Sequence, residues 1–150
     1  MALTPTFKAK KIKKYDMNNG AEGFIGSFSE VVEVEIRSGE QLHTFPNFSN
    51  ELQKRAIVGI LVMLGDGTTK SVVTGKTLAT KAQLSNAFMS LKNENRTAFK
   101  MPVLLFTTEG KPIMYVPVNI KSINPLESQI IFPSNVNFNA VVQIVFITEK

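Results

Sequence analysis

The chain has no cysteine and no tryptophan, one histidine (His43) and only two aspartates, Asp16 and Asp66. Without cysteine there is no disulfide framework and no thiolate metal site, although this says little about compartment. The ligands for a zinc site are lacking. A serine-histidine-aspartate arrangement would have to join His43 to Asp16 in the leader or to Asp66 in a turn, so that chemistry is not expected. Long apolar runs are also missing. The longest, residues 56–64, has nine residues, about half of what a membrane-spanning helix requires. The N-terminus carries lysines with no apolar stretch behind them, which does not fit a secretory signal.

What is present is an ordinary globular composition, with 150 residues, 43% hydrophobic and 19% charged. That length fits one domain with a sizeable core and lies away from the disordered class. The net charge of +5 is unevenly placed. Lys8, Lys10, Lys11, Lys13 and Lys14 fall within seven residues, ahead of the first acid, Asp16. The other 12 basic residues match the 12 acidic ones, so the remainder is formally neutral. A basic arm on a neutral body can contact polyphosphate or an anionic lipid surface while the body packs against protein neighbours. These five lysines, interleaved with Phe7, Ile12 and Tyr15, are the candidate nucleic-acid or lipid contact. A solubilising tail is the alternative. Residues 1–30 show little strand character and are read as an extended arm, and residues 31–150 as a single domain.

That domain reads as β-structure. In VVEVEIR, Val32, Val34 and Ile36 alternate with Glu33, Glu35 and Arg37, which predicts a strand with one wet face. Ser38-Gly39-Glu40 turns the chain, and residues 42–45 pair at most briefly before Pro46. Gly65-Asp66-Gly67 is the clearest hairpin signal, leading into a strand at 70–74. Residues 101–107 form a near-continuous apolar run, as in a strand buried on both faces. Near the end, Phe138, Ala140, Val142, Ile144 and Phe146 make one apolar face. Eight strands are predicted: 31–37, 57–64, 70–74, 86–92, 101–107, 113–121, 129–132 and 139–148. Residues 78–95 are contested. Leu84, Ala87, Phe88 and Leu91 have helical spacing, and Thr80 with Gln83 fits a capping box. The strand at 86–92 is preferred because it agrees with the rest of the chain.

The chemistry-bearing motifs are weak. Gly75-Lys76-Thr77 resembles the end of a phosphate loop, but Lys70 stands where its first glycine is needed. Gly20, Gly23 and Gly26 lack the spacing of a dinucleotide site. Glu33 and Glu35 share a strand face as a glycosidase pair might, yet solvated outward-facing glutamates explain them better. No enzyme, cofactor or metal site is expected.

Eight antiparallel strands in one domain of this size predict an all-β, eight-stranded antiparallel jelly roll, a two-sheet sandwich. With residues 81–93 helical, the alternative is an OB-fold that binds single-stranded nucleic acid. Few exposed aromatics and a neutral body argue against that platform.

The succession LQKRAIVGILVML, AFMSLKNENRTAFKMPVLLF, VPVNIKSINPLESQIIFPS and AVVQIVFIT, across residues 52–148, resembles the small single-jelly-roll capsid proteins of tailless icosahedral bacteriophages. It is most similar to penton (vertex) and minor coat proteins of lipid-containing phages. The shared marks are a Lys/Arg-bearing lead-in to an apolar strand, a Met-Pro-Val-Leu-Leu strand and a Ser-Gln-Ile-Ile-Phe strand before the last apolar one. The resemblance carries over no functional residue. It implies a structural protein located in the virion, a homo-oligomer such as a pentamer beside neighbouring major capsid proteins. Its basic arm would face adjacent subunits, genome or inner membrane.

Overall fold

A computed structural model describes residues 27–46, 55–71, 73–93, 96–108 and 114–149. Eight strands run in chain order as β1 (Ser27–Ile36), β2 (Leu42–Thr44), β3 (Ile57–Met63), β4 (Phe88–Asn93), β5 (Arg96–Pro102), β6 (Val116–Ile120), β7 (Gln129–Ile131) and β8 (Ala140–Glu149). They form two four-stranded sheets, ordered β1-β8-β3-β6 and β2-β7-β4-β5. Every pairing between these strands is antiparallel. Four of the pairs are nested: β1 with β8, β2 with β7, β3 with β6 and β4 with β5. The chain therefore pairs its first strand with its last and works inward, as one long hairpin folded over into two sheets would do.

Alternation fixes which faces meet. On β1, Val32, Val34 and Ile36 are buried. They pack with Ile60 and Val62 of β3 and with Val142, Ile144 and Phe146 of β8, opposite Met89, Leu91 and Ile130 of the other sheet. The last apolar face was legible in the sequence, and β8 occupies the position where it is most needed, hydrogen-bonded on both sides by β1 and β3. In β3 the register shifts between Ile57 and Gly59. There the Tyr115 ring lies where a Cβ on residue 59 would sit, so only glycine lets the ring close onto the strand.

Several sequence expectations need correcting. The segment 70–74 is not a strand. Lys70 makes an isolated bridge to Thr77, and the Ser71 hydroxyl oxygen accepts the amide hydrogens of Val73 and Thr74 at 3.0 and 3.1 Å, closing a turn instead. Gly65-Asp66-Gly67 does turn, with Gly67 at φ 97°, but leads into this loop rather than a strand. The apolar run 101–107 is a strand only to Pro102, because proline has no amide hydrogen to continue the ladder. Val103–Phe106 then forms a 3-10 turn that buries Val103 and Phe106 on one side. The eighth strand is instead Leu42–Thr44, too short to announce itself by alternation.

At 78–95 both local signals are real. Thr80 and Gln83 form a reciprocal capping box, with bonds of 3.0 and 3.2 Å, but it closes only a turn at 81–86 before β4 begins. The strand at 86–92 corresponds to β4. No five-stranded barrel is present among the described residues. β1 already includes residues 27–30, which the sequence assigned to the arm; the rest of the arm lies outside the described residues.

Candidate functional site

The five arm lysines, Lys8, Lys10, Lys11, Lys13 and Lys14, also lie outside the described residues. Among the described ones, a cluster of charged and hydroxyl side chains lies on the outward face of β1, where the 70–77 loop meets it. Three features hold that loop. Gly75 adopts φ 75°. Ser71 N–H donates to the Lys76 carbonyl at 2.7 Å, and Gly75 N–H to the Ser71 carbonyl at 3.1 Å. Beyond Thr77 the chain runs beside β8, with Val141 N–H on the Thr77 carbonyl and Ala79 N–H on the Val141 carbonyl. This tether fixes the loop to β8, seven of whose ten residues are buried.

Glu33 and Glu35 of β1 reach into the loop rather than into open solvent, which corrects the simple reading of a wet face. The buried Ser71 hydroxyl donates to Glu33 Oε2. Glu33 Oε1 is buried with no hydrogen-bond partner. Glu35 pairs with Lys76 through Oε2 and with Arg37 through Oε1. The hydrogen bond from Lys76, and then that from Arg37, hold the Glu35 carboxyl below the ordinary carboxylate range. Both carboxylates are thus engaged with side chains of the protein. The pair does not face a common substrate space, and Lys76 ion-pairs with Glu35.

His43 is buried, with Phe132 edge-on at 5.5 Å between ring centroids. Its Nδ1 accepts the Arg37 amide hydrogen at 3.2 Å, and its Nε2 is buried without a partner. It is a core residue of the β1–β2 corner. Asp66 is committed to its own turn, where Oδ1 accepts both the amides and the hydroxyls of Thr68 and Thr69. These four bonds push its carboxyl strongly down in pKa. The structure therefore does not bring His43, Asp66 and a serine together. Among the described residues no group of three or more His, Cys, Asp or Glu could hold a metal ion.

Sequence reading missed Ser71 and the placement of Lys70, Lys76 and Asn139. Their partners are up to 101 residues away, and no local pattern encodes such a meeting. Comparison with protein families, curated proteins and solved structures finds no match to this chain.

Proposed function

We propose that the two sheets constitute an eight-stranded jelly roll and that the chain is a structural virion protein. In this reading it is a penton (vertex) or minor capsid protein without catalytic activity. The observation that supports this most is the nested pairing of first strand with last, second with seventh, third with sixth and fourth with fifth. Jelly rolls are two-sheet, double Greek-key domains, and viral coats are one of their recurrent uses. A rigid sandwich suits a shell because its sheets supply the core and its edges and loops remain free to meet neighbours.

Two further features agree with that role. β1 is a ten-residue edge strand without proline or register shift, hydrogen-bonded among the described residues to β8 alone. Natural proteins seldom leave such an edge unguarded unless something covers it. The charge distribution separates a basic N-terminal segment from a neutral body, so the lysines can serve genome or anionic head groups while the body meets protein.

In this reading copies assemble by repeated heterologous contacts that close by rotation. Sedimentation velocity on the full-length protein tests it, with a discrete oligomer expected. A second arm replaces Lys8, Lys10, Lys11, Lys13 and Lys14 with glutamine in the full chain. Salt-sensitive binding to DNA or anionic vesicles is expected to drop while the oligomer persists. A strictly monomeric protein with tight affinity for single-stranded DNA would replace this function with nucleic-acid binding.

A further inference from the structure

A cleft of about 390 Å³ opens where the 70–77 loop meets the adjoining ends of β1 and β8. That volume falls within the range of small-molecule sites, roughly 300–1,000 Å³. Its polar lining is Glu35, Lys70, Lys76, Thr77 and Asn139. The hydrogen bonds already made inside the protein decide what these groups can offer a ligand. Both oxygens of Glu35 are taken, by Arg37 and by Lys76. Thr77 Oγ1 accepts from Lys70 Nζ at 3.4 Å, so its own hydroxyl hydrogen is left to donate. Asn139 Oδ1 accepts the Ser38 amide hydrogen at 3.1 Å, which leaves the side-chain NH2 as its remaining polar group. The lining therefore presents donors, and Lys70 and Lys76 against Glu35 give it a formal charge of +1.

We propose that this cleft binds a phosphate group, either the free ion or the monoester of a small soluble molecule. A compact anion with several acceptor oxygens matches two ammonium groups, a hydroxyl and an amide. The described residues of the loop that carries the lysines are tied down by internal hydrogen bonds. Ser71 is buried and bonds both to Glu33 and to two amides of its own turn. Little conformational freedom is then lost on binding. The Glu35–Lys76 ion pair also places the Lys76 ammonium in the cleft lining, where an incoming dianion can share it.

The test is a titration of the full-length protein followed by amide chemical shifts. Inorganic phosphate, ribose 5-phosphate and, as the neutral control, ribose are the probes. Saturable shifts at Lys70, Lys76, Thr77 and Asn139 with either phosphate and none with ribose are expected. Saturation by inorganic phosphate identifies the free ion as sufficient, and saturation by the ester alone identifies a monoester site. The double variant Lys70→Gln, Lys76→Gln should lose about tenfold or more in affinity. Asn139→Asp keeps the oxygen that receives the Ser38 amide but adds a negative charge, and should lose a similar amount. Titrations that do not saturate overturn the site. So does saturation that the double variant leaves unchanged, because the ion would then be held by other lysines.

Discussion

His43 is held neutral by its surroundings. Burial lowers its pKa below the usual 6.5, and the nearby Arg37 charge pushes the same way, while Glu40 opposes both. Its Nδ1 must also stay unprotonated to accept the Arg37 amide hydrogen. With the folded-state pKa depressed, the unfolded chain binds the proton first. Stability from this residue is complete above pH 6.5 and is lost as pH falls from there toward the folded pKa. His43→Asn keeps an acceptor for Arg37 without the titration. Thermal unfolding between neutral pH and about pH 5 should show a shallower loss of stability for the variant than for the parent. Equal slopes would mean that His43 is not the group responsible. Gly59 makes a steric prediction of the opposite kind. Gly59→Ala forces the Tyr115 ring off β3, and denaturant unfolding should report a loss of about 1–3 kcal/mol. Neither role was visible in the sequence. A lone histidine and a glycine within an apolar run acquire their meaning from Phe132 and Tyr115, which are distant in the chain.

At the scale of elements, the long strands and the apolar run of β7 were legible, whereas β2 showed only as a brief pairing at 42–45. Alternation in VVEVEIR and in the last apolar stretch identified β1 and β8 because each buries one face over many residues. β2 has three residues and only His43 buried, which leaves no period to detect. The run after Met101 misled because apolar residues in a 3-10 turn can be buried as well as those in a strand, and only Pro102 marked the change. The capping box at Thr80 and Gln83 was legible and does form. Pairing of the following residues with β5 and β7 then determines the structure, a case of tertiary contacts overriding local propensity. The 70–77 loop was misread because its hydrophobic residues look like strand, while Ser71 dictates a turn. Ser71→Ala removes the hydroxyl that donates to the half-buried Glu33 carboxylate and accepts from two loop amides. It should cost about 1–3 kcal/mol and speed amide hydrogen exchange at Val73 and Thr74. Unchanged exchange there would show that the tether to β8 is enough to hold the loop.

For the whole molecule, strand count and sheet class could be read from the sequence, but strand order could not. Nested pairing joins Ser27 to Glu149, nearly the full length of the chain, and nothing in local periodicity specifies a partner so far away. The charge asymmetry was legible from counting alone, whereas the cleft depends on β1, β8 and a loop meeting in space. A sandwich whose ten-residue edge strand β1 pairs with β8 alone among the described residues, in a chain with a separately basic N-terminal segment, supports the proposal of an assembling protein. Electron microscopy of the purified full-length protein addresses this most directly. Closed rings with five-fold symmetry are the predicted result. A protein that stays monomeric at every concentration imaged and binds single-stranded DNA tightly would contradict the shell-protein assignment.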